Sequence, residues 1–517
     1  MSTKSSASLS SKTASTEENK TESESSMVPT YKKLLLFTTT TILIWISEPL
    51  LSLVDTTVVG LTQKNAVVQV AALGPATTLI DSLQYLTYFL AMATTSQVAK
   101  FLALKNYRKL QETTSQILGV AALLGGVISL TIFGLGMPLL KTMIGASQSP
   151  ELVGLAAKYC WIRATVAPLA VMGMVAESSC LANVDTMTPA IAVFSASVIN
   201  VVGDLSLAFL GIQGAAIATA VATATSTAIM LRKVKKRKDM WREQELATAS
   251  AGLTRTVNGT PTIKVNYEVD NENSTTPSLQ STASKEVPFL SFPGRAALFE
   301  LLKLSGPMFF VMLGKIACYG AMSVRATDFG VVNLAAHSIM MRVFFFFTCW
   351  GDSLGQATQS FLPKALYPKP VKNDVRKIMK RLVIFASCVG SFIFLASRFI
   401  LTRCGGYLTN DATVVAAIVK YSKLASMSLL LHPFILLSEG SMIATRDFRY
   451  LISSYSITMA MHFGLLLFAC SSFADIWRVF FTFQAVRVSL FGTRAIRSVV
   501  LNKKQSSSQT ETAAAAA

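Results

Sequence analysis

Apolar runs of about 20 residues follow one another along most of this chain. Each run is long enough to cross a hydrocarbon core of roughly 30 Å as a helix. The alternating pattern of a membrane β-barrel is absent from the sequence. Of the 517 residues, 51% are hydrophobic and only 15% are charged, whereas soluble domains carry about 25% charged residues. The sequence therefore predicts an all-α polytopic membrane protein that is surrounded by a lipid bilayer.

We predict twelve transmembrane helices. Their approximate ranges are 34–61, 67–98, 113–140, 152–181, 187–210, 212–231, 298–324, 331–362, 380–401, 412–443, 449–471 and 473–496. Basic residues between the ranges collect on one side of the membrane, including the run "RKVKKRK" at 232–238, which predicts that both termini are cytoplasmic. These loops account for the net charge of +19, so nucleic acid is not an expected partner.

The chain divides into two halves of six predicted helices. We expect a disordered cytoplasmic tail at 1–33, an N-lobe at 34–231, a flexible cytoplasmic linker at 232–296, a C-lobe at 297–498 and a second disordered tail at 499–517. An offset of 264 residues aligns Thr94 with Thr358 and Ser96 with Ser360. A repeat of six spans returns to the same side, which predicts two lobes related by a pseudo-two-fold axis along the membrane normal, in a monomer.

Acidic side chains occur inside a few of the apolar ranges. Asp204 lies four residues after Asn200, and Asp55 lies seven residues after Glu48, so each pair shares one helix face. A carboxylate at bilayer depth costs about 2.5–3.5 kcal/mol on insertion scales, which favours a functional role. These acids suit proton exchange or, with the Asn200 carbonyl, binding of Na⁺; the alternative is a hydrogen bond between helices.

Two basic residues lie inside predicted spans. Lys315 is near the middle of its span, and Arg163 is nearer the start of another. Together with Glu48 they are candidates for the lining of a substrate cavity. Uncompensated basic groups attract anions, so we expect an anionic or zwitterionic solute such as an aromatic acid. The alternative is that Lys315 pairs with an acid and leaves no net charge.

Motifs for enzymatic catalysis and ATP binding are missing from the sequence. His337, His432 and His462 lie in different spans, and there is no P-loop, GxSxG motif or dinucleotide fingerprint. We expect no catalytic residues and no cofactor, with H⁺ or Na⁺ as the coupling ion. Ion-coupled secondary transport is the leading interpretation. A lipid or lipid-linked flippase is one alternative, and a membrane enzyme or scaffold that does not transport is another.

Several segments resemble one transporter family. "EPLLSLVDTTVVG", "NVVGDLSLAFLGIQGAAIAT" and "NLAAHSIMMRVFFFFTCWGDSLGQATQSFLP" are similar to multidrug and toxic compound extrusion (MATE) transporters of the DinF-type branch, which includes plant plastid members. The resemblance implies two six-helix lobes and efflux of organic solutes or xenobiotics by an H⁺- or Na⁺-driven antiporter, with a plastid envelope as one location. It also implies a cation site at Asp55, Asn200, Asp204 and Thr219.

Overall fold

The computed structural model describes residues 28–63, 66–144, 150–253, 286–368, 370–408 and 412–497, and these segments are almost entirely helical. The helices are α1 Tyr31–Thr62, α2 Ala66–Tyr85, α3 Tyr88–Ala103, α4 Tyr107–Ile144, α5 Pro150–Thr165, α6 Ala167–Ala182, α7 Met187–Ser206, α8 Ile212–Leu253, α9 Arg295–Thr327, α10 Val331–Leu366, α11 Lys372–Arg403, α12 Gly405–Leu408, α13 Ala412–Ala444, α14 Phe448–Phe468 and α15 Phe473–Ala495. The predicted tails lie mostly outside the described residues.

Within the described part of the chain, nine helices are long and apolar enough to cross a membrane. The pair α5 and α6, which is bent by 54° at a short break, raises this number to ten if it counts as one span. The two remaining predicted spans coincide with the consecutive helices α2 and α3 and with α15. The helix α15 contains Arg478 and Arg487, which lower its apolar content. The all-α polytopic fold predicted from the apolar runs is confirmed.

The predicted flexible linker at 232–296 is shorter in the structure, because α8 continues to Leu253. The residues after 231 are rich in Lys, Arg, Glu and Gln, which favour helix, and contain no Pro and no Gly before Gly252. In addition, Trp241 is only 4% exposed and packs with Val98, Leu110 and Ala182. Burying this large side chain stabilises the helical extension.

Three cations anchor this extension of α8. Arg237 forms an ion pair with Asp185 in the turn between α6 and α7, where Lys233 Nζ lies 3.8 Å from the same carboxylate. Burial opposes ionisation of Asp185, but hydrogen bonds from Thr188 and the charges of the two cations outweigh it and lower its pKa. Lys238 donates to Ser115 Oγ and, at 2.8 Å, to the carbonyl of Pro288.

The helices group into two compact units. The first unit comprises Ser47–Leu313, and the second comprises Met1–Ile46 with Gly314–Ala517. Their limits fall inside α1 and α9, whereas the predicted lobe limits follow the linker. The sequence could not place these limits, because it does not show with which neighbours each half of a long helix packs. The first unit has a core of mostly small aliphatic residues, and the second has a core rich in aromatic residues.

Candidate functional site

The turn between α7 and α8 brings two polar faces together in the first unit. Gly211 has φ +60, a left-handed conformation that favours glycine, and it reverses the chain between the two helices. Glycine also permits a close approach of α7 to α8, because a Cβ at Gly203 would lie 2.8 Å from Ala218 Cβ. The amide of Ile212 donates to Gln69 Oε1 at 2.8 Å, which fixes the start of α8. The structure thus aligns Asn200 and Asp204 with the first turns of α8.

The residues predicted for cation coupling lie together in the structure. Asn200 Nδ2 donates to Thr219 Oγ1 at 3.3 Å, and Thr219 Oγ1 lies 3.5 Å from Asp55 Oδ2. The Thr219 hydroxyl is also 2.8 Å from the carbonyl of Ala215. Since a hydroxyl has one proton, the shorter contact takes it, and the contact with Asp55 is weak. The carboxyl groups of Asp55 and Asp204 are close enough to act on each other electrostatically.

This acidic cluster, defined here as Asp55, Asn200, Asp204 and Thr219, contains buried oxygens without donors. The exposed fractions of Asp55, Asn200 and Asp204 are 5%, 1% and 2%. Among the described residues, no hydrogen-bond partner reaches Asp55 Oδ1, Asn200 Oδ1 or either carboxylate oxygen of Asp204. Leaving buried acceptors unpaired costs about 1–3 kcal/mol each. A proton or a hard cation such as Na⁺ would satisfy these oxygens, because such ions prefer oxygen ligands.

The acidic cluster does not form a transition-metal site. In the segments that the structure describes, no group of three or more His, Cys, Asp or Glu side chains is arranged to hold a metal ion. The donor set consists of two carboxylates, an amide carbonyl and a hydroxyl. This donor set can exchange a proton or bind a monovalent cation weakly. Either kind of binding is reversible, as ion transport requires.

Arg163 and Glu48, both predicted as lining residues, occupy different environments. Glu48 is exposed, whereas Arg163 is half-buried and its Nε has no hydrogen-bond partner among the described residues. The carboxylates of Asp81, Glu48 and Asp55 all act electrostatically on Arg163. These acids outnumber the single cation, so Arg163 does not leave the first unit with an excess of positive charge at this point.

Lys315 belongs to a buried polar cluster in the second unit. Its Nζ lies 3.1 Å from Glu439 Oε1, and Tyr455 donates to Glu439 Oε2 at 2.7 Å. Arg487 lies 3.6 Å from the same Oε2, donates to the Tyr455 hydroxyl and donates at 3.0 Å to Gln484 Oε1. We call Lys315, Glu439, Tyr455, Gln484 and Arg487 the basic cluster. The sequence reasoning missed Glu439, although an acid within the apolar run of α13 gave the same signal as Asp204.

Comparison with known proteins places this architecture in a family. The family model MatE matches residues 41–205. Protein DETOXIFICATION 47, chloroplastic, from Arabidopsis thaliana is 27% identical over 477 residues, which cover 90% of this chain and 78% of the relative. The chain is therefore similar to MATE transporters over most of its length. MATE family members are membrane transporters of small molecules and not enzymes, so the similarity supports the transporter that the sequence predicted.

Solved MATE structures share the fold. The Vibrio cholerae MATE transporter VcmN in its bent form superposes with a TM-score of 0.70 at 18% identity, covering 91% of this chain and 98% of that one. An outward-facing multidrug resistance MATE family transporter of the MOP superfamily gives 0.71 at 15% identity, covering 92% and 97%. The twelve-helix, two-lobe architecture predicted from the sequence agrees with these structures.

Proposed function

We propose that this chain is an antiporter that exports a small organic solute by alternating access. An H⁺ or Na⁺ gradient drives it through Asp55, Asn200, Asp204 and Thr219. The observation that carries the proposal is the set of buried oxygens without donors at Asp55, Asn200 and Asp204. Structural hydrogen bonding between helices would pair such oxygens, whereas ion exchange requires acceptors that a proton or cation can occupy and leave.

Coupling requires that the ion binds one conformation of the transporter more tightly than the other. An ion at Asp204 and Asp55 removes the repulsion between two buried carboxylates and joins α7 to α1. Without the ion, both carboxylates need water, which favours a conformation in which they are hydrated. The ion therefore stabilises one arrangement of α1, and its release on the other side of the membrane resets the transporter.

The solute and the membrane follow from separate observations. Lys315 and Arg487 share one carboxylate in the second unit, which favours an anionic or zwitterionic organic solute. The Arabidopsis relative is named as chloroplastic, so we propose that this chain lies in a plastid envelope as a monomer, with both termini on the cytoplasmic side. A fluorescent fusion at either terminus tests the location, and protease access to that fusion in isolated organelles tests the orientation.

The decisive test is Asp204→Asn in proteoliposomes with an imposed pH or Na⁺ gradient. Efflux of radiolabelled benzoate and of ethidium is measured, so that an anion and a cation are both sampled. We expect the rate of gradient-driven efflux to fall at least about 10-fold in Asp204→Asn, since an amide cannot take up a proton or offer a full negative charge. Asp239→Asn changes an exposed acid on the same unit and serves as the matched control.

Correct folding of each variant is checked by elution as a single species and by its thermal midpoint. Gradient-driven efflux at the wild-type rate in a folded Asp204→Asn protein would overturn the coupling role of this acid. Efflux in the wild type that ignores both gradients would overturn antiport itself.

A further inference from the structure

The basic cluster in the second unit has one more cation than anion. The side chains of Lys315, Glu439 and Arg487 are 11%, 1% and 1% exposed. Glu439 is the one carboxylate within 4 Å of either cation among the described residues, and it contacts Lys315 through one oxygen and Arg487 through the other. An uncompensated charge at such depth is unfavourable unless a further group pairs with it.

Two buried donors in the same cluster have no acceptor. Arg487 Nε and Gln484 Nε2 make no hydrogen bond within the described part of the chain. The Gln484 side chain is oriented by its own Oε1, which accepts from Arg487 at 3.0 Å, so its amide nitrogen is left without a partner. Gln484 is 0% exposed and Arg487 is 1% exposed. The surplus positive charge and the unpaired donors therefore occur on adjacent side chains.

The surroundings of Arg487 orient it without neutralising it. The guanidinium lies over the rings of Tyr455, Phe483 and Phe491 at 4.8, 5.1 and 5.4 Å from their centroids. Such contacts are attractive, but they accept no hydrogen bond from Nε and remove no charge. The rings hold the guanidinium plane in place, as a site for a planar anion requires.

We propose that the basic cluster binds one monovalent anion, and that this anion is the carboxylate of the exported solute. Arg487 and Gln484 donate to the carboxylate oxygens of the solute. Lys315 pairs with Glu439, so the negative charge of Glu439 is shared between two cations and does not fully neutralise Arg487. The assignment of this anion to the exported solute rests on the proposed transport function. A free inorganic anion such as chloride presents the same charge, so the experiment includes it.

Equilibrium binding of radiolabelled benzoate to the purified full chain in detergent tests the site without any gradient. We expect saturable binding that unlabelled benzoate displaces and that benzamide, its neutral analogue, does not. Chloride at the same concentration should displace little, because it cannot engage two donors in the way a carboxylate does. Chloride binding with no benzoate binding would overturn the assignment to the solute, and binding of neither anion would overturn the site.

Two substitutions at one position separate charge from hydrogen bonding. Gln484→Glu places a carboxylate beside Arg487 and cancels the surplus charge, so benzoate binding should weaken at least about 100-fold. Gln484→Met has a similar length, keeps the surplus charge and removes one donor to the anion together with the acceptor of Arg487, so binding should weaken about 10-fold. Equal binding by both variants and the wild type would show that benzoate binds elsewhere, which overturns the proposal.

The variant Asp204→Asn distinguishes a failure of the anion site from a failure of the antiport mechanism. The variant should bind benzoate with wild-type affinity, since the basic cluster is unchanged, while it loses gradient-driven efflux. If benzoate binds as predicted but efflux ignores the gradient, antiport fails and the anion site stands. If efflux depends on Asp204 but benzoate does not bind, antiport stands and the anion site fails.

Discussion

Gly125 in α4 is a position at which added volume should damage the packing of the first unit. A Cβ built on Gly125 would lie 2.7 Å from the carbonyl oxygen of Ala167 and 2.8 Å from Pro168 N. Both are backbone atoms at the bend between α5 and α6, so rotation of a side chain cannot relieve the clash. Its neighbour Gly126 has no atom within 4 Å of the same added group. Gly125→Ala and Gly126→Ala therefore form a matched pair.

The magnitude follows from two opposing effects. Replacing glycine by alanine within a helix favours the helix by about 1 kcal/mol at either position. At Gly125 the contact must open by roughly 1 Å to reach ordinary van der Waals distance, and overpacking of this kind costs about 1–3 kcal/mol. Separation would also stretch the hydrogen bond from Ser129 Oγ to the carbonyl of Ala164, which is 2.6 Å long. We expect a difference of about 2–4 kcal/mol between the variants.

The assay is the midpoint of thermal unfolding in detergent, measured at one heating rate because unfolding of such proteins is often irreversible. Gly126→Ala should match or slightly exceed the wild type, and Gly125→Ala should unfold at least about 3 °C lower. If the midpoints of the two variants coincide, the close approach of α4 to the bend at Pro168 is not a determinant of stability. That result would contradict the packing argument.

Two further predictions concern the extension of α8. Asp185→Asn should lower the free energy of unfolding by about 1–3 kcal/mol. Because the folded-state pKa of Asp185 is lowered, this difference from the wild type should be complete above about pH 5, shrink as pH falls below about 4, and disappear only as pH passes the lowered folded-state pKa. A difference that keeps its full size as pH falls from about 5 to about 2 would contradict the ion pair. Lys238→Met should raise hydrogen exchange in residues 286–294 about 10-fold, since it removes a donor to the Pro288 carbonyl, whereas the exposed control Lys236→Met should leave exchange unchanged; equal exchange in both would show that Lys238 does not hold this segment.

The acidic cluster could be predicted largely from local sequence. Asn200 and Asp204 are one helical turn apart, and the short turn at Gly211 forces the next helix to run beside them. Only Asp55 comes from a distant segment. Polar residues within apolar runs are few, and burying them alone is costly, so the chance that they meet is high. The family resemblance then supplied Thr219, which the residues alone did not single out.

The basic cluster could not be predicted in the same way. Lys315 and Glu439 are 124 residues apart, and Tyr455 and Arg487 are 32 apart, so no spacing in the sequence joins them. Arg487 lies within the last predicted span, 473–496, and the sequence did not single it out as a site residue. Its partners Glu439 and Tyr455 are on other helices, and their positions depend on tertiary packing. Sequence reasoning therefore found a lone mid-span lysine and left open whether an acid neutralised it.

In the structure, the basic cluster contains two cations and one carboxylate, so its charges do not balance. Lys315 does pair with an acid, as one alternative required, but Arg487 claims the same acid, so the pairing does not leave the cluster neutral. The acidic cluster shows the opposite imbalance, with acceptors that lack donors. Each imbalance is costly in a protein interior and is relieved by a ligand of the opposite charge. A transporter that binds a cation in one unit and an anion in the other would relieve both, and its thermal midpoint should rise when each ligand is added separately.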